Sequence, residues 1–173
     1  MNNNFDKKKS LEDLMRFLSI EGITGEEHDI AMNIKDDLIN SGVPPEYITF
    51  DNANDKIPLP TQVGNLIIKL PGTIDAERIM FSSHLDTVPL CKGAIPVIKG
   101  DKILPKDNTA LGGDNRTGVS ALVTMVKTLF KNNIPHGPIT ILFTVREESG
   151  LWGARMAKKE DLGNPVRGYN IDG

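Results

Sequence analysis

The stretch Ile79-Met80-Phe81-Ser82-Ser83-His84-Leu85-Asp86-Thr87-Val88-Pro89 decides how the chain is read. Ile79 to Phe81 form the short apolar run of a strand buried on both faces, and the run gives way at once to small and polar residues. Open α/β sheets present their chemistry in this way, in the crevice beyond the carboxyl ends of the strands. His84 and Asp86, two apart in an extended segment, share a face and lie roughly 6 to 7 Å apart along the chain. A carboxylate there can accept a hydrogen bond from one imidazole nitrogen and leave the other as a directed lone pair, the usual support of a metal-binding histidine. A plain hydrogen-bonded His-Asp pair at a strand end explains the same two residues, so the rest of the chain must decide.

Working outward, Asn65 to Leu70 reads as a strand closed by Pro71-Gly72, with Glu77 to Ser83 as its antiparallel or neighbouring partner. Ala94 to Leu104 reads as two extended runs around a Lys99-Gly100-Asp101 turn. Leu111 to Gly118 is a glycine-rich turn feeding a helix with the apolar stripe Val119, Leu122, Val123, Val126 and Phe130. It matches neither GxxxxGK[ST] nor GxGxxG, so the glycines are read as letting Asp114 project into the crevice, beside a helix N-terminus that favours its charge. Pro138 to Val145 is an almost unbroken apolar run, expected to be a buried parallel strand, and it ends in Arg146-Glu147-Glu148. Two adjacent carboxylates after a buried strand call for a cation beside them, unless they are simply solvated in a loop. A helix is expected from Trp152 to Lys159, then a last short strand in Gly168 to Gly173 with Asp172 near its end. Upstream, Ser10 is expected to cap a helix with Leu11, Leu14, Phe17 and Leu18 on one face. A second helix is expected over Glu26 to Asn40, and a short strand over Tyr47 to Asp51. His28 is read as a surface or helix-start residue, and the lone Cys91 as packing in preference to a thiolate ligand.

Imidazole and carboxylates thus recur at segment ends expected to share one sheet edge: His84 with Asp86, Asp114, Glu147 with Glu148, and Asp172. Gathering such like charges without a cation would cost several kcal/mol per ion. The formal net charge of −3 and the lack of a dense basic run argue against nucleic acid. No apolar run is long enough for a membrane span, and the first ten residues lack the apolar stretch of a secretory signal, so a cytoplasmic location is expected.

The strings SHLDTVP, LGGDNRTGVSAL, FTVREESGLWGA and YNIDG, in this order and at these intervals, resemble the zinc-dependent exopeptidases and deacylases that include peptidase T, glutamate carboxypeptidase and aminoacylase. The resemblance runs from about Asn65 to the end and is nearest to the peptidase T (tripeptide aminopeptidase) group. It implies a three-layer α/β/α sandwich around a mixed, largely parallel sheet, the zinc-peptidase catalytic domain. It also implies roles: His84 and Asp172 on one zinc ion, Asp86 orienting His84, Asp114 bridging two zinc ions through a cis peptide to Asn115, Glu148 on the second ion, and Glu147 as general base. Zinc accepts such a mixed donor set, and cobalt or manganese could replace it. The implied reaction is hydrolysis of short peptides from the amino end by a metal-activated water. N-acyl amino acid deacylase or carboxypeptidase activity, or a non-catalytic metal-binding module, are the alternatives. The family closes its second metal site with a later histidine, after an inserted lid and dimerisation domain. His136 cannot substitute, because the strand before Glu147 places it roughly 30 Å away. Residues 1–173 are therefore expected to be the N-terminal part of the catalytic domain, weakly active or inactive alone, with a parent that is a homodimer.

Overall fold

A computed structural model describes residues 6–172. The apolar runs form a five-stranded mixed sheet ordered β1-β2-β6-β3-β7. Its strands are β1 (Ile48–Phe50), β2 (Leu66–Leu70), β3 (Ile79–His84), β6 (Ile139–Thr144) and β7 (Arg167–Asn170), while β4 (Pro96–Lys99) and β5 (Lys102–Pro105) make a separate hairpin. The ladders from β1 to β2 and from β2 to β6 are antiparallel; those from β6 to β3 and from β3 to β7 are parallel. β6 is buried along its whole length and lies between β2 and β3. The expected pairing of β2 with β3 therefore does not occur: the long apolar run takes the central place because it alone can bury both faces against neighbours on either side.

Period-two alternation divides the strands between two layers. Leu66, Ile68, Leu70, Ile139, Ile141 and Phe143 face a core built with α1 (Lys7–Ser19), α2 (His28–Asn40) and α3 (Gly113–Lys131). Ile67 and Leu142 face the other side, where Leu162, Met80 and Ala157 meet them. α4 (Trp152–Met156) packs Trp152 and Met156 against the first core and stops three residues short of the expected Lys159, because Ala157 turns extended and packs on the second side.

The first helix also differs from expectation. Asp6, not Ser10, is its cap: the Asp6 carboxylate accepts from the Lys9 amide at 3.0 Å, and the Ser10 hydroxyl donates back to the Asp6 carbonyl. Leu11 is exposed, whereas Asp13 is buried. Asp13 faces Lys127 of α3, whose ammonium donates to it at 2.7 Å and to Asp37 of α2 at 3.0 Å, while Arg16 reaches both carboxylates. Three helices are thus joined by one cluster of charges at a position that periodicity would give to an apolar residue. Among the described residues no helix is long and apolar enough to cross a membrane.

Burial alone would raise the Asp13 pKa, but the hydrogen bonds and charges of Lys127, Arg16 and Lys9 bring it below the ordinary value of 3.8. Since the folded value is the lower one, its stabilisation is full above about pH 4 and is lost as pH falls through the folded value. Lys127→Met should lower unfolding stability at neutral pH by about 3 kcal/mol, the low end for a broken buried pair. Denaturant titration of both proteins from pH 7 to 3 should show this difference shrinking with acid; a constant difference would refute the assignment.

Candidate metal centre

Parallel strands end at the same edge, so the register of β3, β6 and β7 determines which side chains meet. His84 pairs with Thr144, which places the segment after β6 beside the segment after β3. β7 runs parallel on the other side of β3, and Ile171 donates its amide to the Ser82 carbonyl, which brings Asp172 to the same rim. α3 supplies the fourth approach. Its first turn is not regular helix: the peptide from Asp114 to Asn115 is cis, and both residues have non-helical dihedrals. The regular helix begins after Asn115, whose side-chain oxygen accepts from the Gly118 amide at 3.0 Å and so serves as the cap. Asp114 is left projecting over the sheet edge.

All six residues expected at the site converge. His84 is buried; its Nδ1 donates to the Asp86 carbonyl at 2.9 Å, with the Asp86 carboxylate at 3.5 Å. Asp86 therefore orients the ring mainly through its main chain. Its carboxylate is turned to another use, accepting from the Glu147 amide at 2.9 Å and the Glu148 amide at 3.1 Å. His84 Nε2 points outward, 3.0 Å from Asp114 Oδ1, 3.5 Å from Asp172 Oδ1 and 4.0 Å from Glu147 Oε2. Ligand atoms of His84, Asp114 and Glu148 all lie within 4.8 Å of one another. Asn115 steadies Asp172, donating to its carboxylate at 3.1 Å and to the Ile171 carbonyl at 2.6 Å.

The donor set suits a divalent ion. Two ligands each about 2.0–2.2 Å from one zinc ion stand roughly 3.0–3.5 Å apart, the range of the His84 contacts to Asp114 and Asp172 but not to Glu147. The electrostatics agree with that need for positive charge. Burial opposes charging His84, yet the hydrogen bond and charge of Asp86, with Asp114 and Glu147, raise its pKa to about 9. Burial and the surrounding carboxylates push both Glu147 and Glu148 up, against the pull of His84. His28 stands exposed at the start of α2, paired with Asp29, and His136 lies before β6 at the far end of the sheet, bonded to Thr73. Cys91 packs below the Gly112 turn and is not among the clustered ligand atoms.

Three supporting residues have no obvious signature in the sequence. Glu27 is fully buried at the head of α2, where its Oε1 accepts from the Gly25 amide at 2.7 Å and the Arg146 amide at 3.0 Å. Arg116 is a buried guanidinium beneath the site, brought by burial to a pKa of about 10 against the charges of Asp86, Cys91 and Glu27. Asn65 ties β2 to the segment after β6, accepting from the Val145 amide and donating to the Gly153 carbonyl. The adjacent acidic pair Glu26-Glu27 after a glycine turn was the available hint for the first.

Sheet, crossing helix and rim of imidazole and carboxylates together make the catalytic-domain plan of the metallopeptidases. The family model described as Peptidase family M28 matches residues 65–173, and the chain belongs to that family. The uncharacterized protein YqjE of Bacillus subtilis is 33% identical over 168 residues, covering 96% of this chain and 43% of its own length. The crystal structures of aminopeptidase PepT from Bacillus cereus and of a tripeptidase from Staphylococcus aureus each superpose with a TM-score of 0.89 at 30% identity, over 99% of this chain and 44% of theirs. The chain thus spans less than half the length of these relatives.

Gly118 allows α3 to approach the sheet this closely. A Cβ there would stand 2.4 Å from Asn115 Oδ1, 2.7 Å from Ser83 Oγ and 2.9 Å from the Ile171 carbonyl. In an open helix Gly→Ala stabilises by roughly 1 kcal/mol; here Gly118→Ala should destabilise by about 1–3 kcal/mol through overpacking. Thermal unfolding decides by its sign.

Proposed function

We propose that this chain carries the metal site of a peptidase that removes residues from the amino end of short peptides. The observation that carries the reading is the meeting of His84, Asp114 and Glu148 ligand atoms within 4.8 Å, with Asp172 and Glu147 beside them. In this reading His84 and Asp172 would hold one ion, Glu148 would hold a second, and Asp114 would serve both. Zinc is the ion best suited to one imidazole and several carboxylates. When bound there, it supplies Lewis acidity toward the scissile carbonyl and toward a water.

The remaining work falls to the chain's own side chains. Asp86 fixes the His84 ring through its carbonyl, so Nε2 presents the lone pair once the ring is neutral. Glu147 stands farther from Nε2 than Asp114 or Asp172 does, which leaves its carboxylate available to take a proton from water and return it to the leaving amine. The upward push on its pKa moves it toward the range where such exchange is efficient. Substrate choice is read from the likeness to the Bacillus cereus aminopeptidase and the Staphylococcus aureus tripeptidase.

The purified 173-residue chain should take up zinc, and His84→Ala should weaken that uptake by roughly 100-fold, since the only imidazole donor of the proposed site is lost. Uptake unaffected by His84→Ala would overturn the site. In a chain extended to the relatives' length, Glu147→Gln should lower turnover of tripeptides by about 10²–10⁴-fold with metal content unchanged. Faster cleavage of N-acyl amino acids than of tripeptides would overturn the substrate assignment.

A further inference from the structure

Arg146, Glu147 and Glu148 follow one another one residue beyond β6, and each of their amides donates to a buried carboxylate. Arg146 donates to Glu27 at 3.0 Å; Glu147 and Glu148 donate to the two oxygens of Asp86 at 2.9 and 3.1 Å. Both carboxylate residues are fully buried. Arg146 takes a left-handed conformation, φ 52°, which curls the successive amides into a concave donor. Concave runs of main-chain amides of this kind bind anions. Here the anions are supplied by two side chains from below, and the turn they hold presents Glu147 and Glu148 to the rim above.

We infer that Glu27 is a positioning residue for the metal site: by accepting the Arg146 amide it sets the start of the turn from which Glu148 reaches the second ion. The inference rests on the metal reading given above. Glu27 touches none of the proposed ligands, and no capping bond to its own helix accounts for its side chain. Its Oε1 also accepts from the Gly25 amide at 2.7 Å, which holds the acceptor in place, while Oε2 is buried without a hydrogen-bond partner among the described residues. Packing alone does not call for a buried carboxylate oxygen set between the amides of two separate segments; what the site uses is the position of Oε1. The Arg146 side chain adds to the hold, its Nε donating to Thr61 Oγ1 at 2.7 Å and its guanidinium to the Pro60 carbonyl. With its main chain released from Glu27, the turn relaxes away from the left-handed conformation and the Asp86 clamp loses its register.

The role depends on acceptor position, and two substitutions separate position from charge. Glu27→Gln keeps an oxygen at the same reach and removes the charge; Glu27→Asp keeps the charge and withdraws the oxygen by one methylene. Affinity of the 173-residue chain for the second zinc ion, measured by competition with a chromophoric chelator, should stay within about threefold of wild type in Glu27→Gln and fall about 10-fold or more in Glu27→Asp, as for other supports of metal ligands. In a Glu148→Gln background the loss caused by Glu27→Asp should vanish, because the ligand being positioned is already gone. Leu38→Ala, a core truncation away from the site, lowers the unfolding midpoint and should leave zinc affinity alone. Equal affinity in wild type and Glu27→Asp, a loss in Glu27→Gln instead, or an undiminished loss in the Glu148→Gln background would each overturn the inference while leaving the metal site intact. A wild-type chain that takes up no zinc would overturn the metal reading and this inference together.

Discussion

The mutual repulsion of carboxylates at one sheet edge is the constraint on which the rest of this structure depends. Asp86, Asp114, Glu147 and Asp172 all lie within ion-pair reach of a single buried imidazole, and Glu148 joins the same cluster. In water such groups would separate. They are kept together by backbone geometry: parallel strands ending side by side, a helix whose first turn is held out of regular form, and a turn fastened from below. Holding them costs free energy, visible in glutamates pushed upward, and the imidazole, raised to about 9 by the same carboxylates, offsets part of that cost while it is protonated. A site built against its own electrostatics in this way is suited to an ion that repays the cost.

Rigidity at the rim follows from what lies beneath it. Gly118 lets α3 lie against β3 and the segment leading to Asp172, and Asn115 then spans the contact to hold Asp172. At the other end of the same helix, Lys127 is locked to Asp13 and Asp37, so the element carrying Asp114 is anchored to α1 and α2 well away from the site. α3 is therefore fixed at both ends, by close packing where it meets the rim and by charge where it leaves it.

Much of this was legible in the chain, and the failures have physical reasons. β6 announced itself because a strand buried on both faces has no polar positions to break its apolar run, and the rim residues were found because acidic groups at such strand ends are unusual. Strand order was not legible, since hydropathy reports that a strand is covered and not by which neighbour; hence β3 was assigned to β2 when β6 lies between them. The cap of α1 moved from Ser10 to Asp6 because both are good caps one turn apart, and Lys7 to Lys9 can extend a helix while staying solvated. Asp13 defeated periodicity because its compensation, Lys127, is on a helix 114 residues later. Glu27 was hidden for the same reason: of the two amides it serves, the one that matters to the site is 119 residues away.

The distribution of compensation within the site separates scaffold from working surface. Glu27 and Asp86 are fully buried, yet each is met by main-chain amides, and the buried Arg116 guanidinium adds a positive charge near both. Below the rim, then, main-chain amides and a guanidinium meet the buried carboxylates, although burial still pushes the Glu27 carboxyl above its ordinary pKa. Above it Asp114, Glu147, Glu148 and Asp172 face solvent at least in part and share the single charge of His84. Folding needs the lower set compensated at once, because Glu27 and Asp86 are fully buried; the upper set can wait for a cation from solution. That division is why we place the ion at the rim, and why substitutions below it should act on metal affinity through geometry instead of charge.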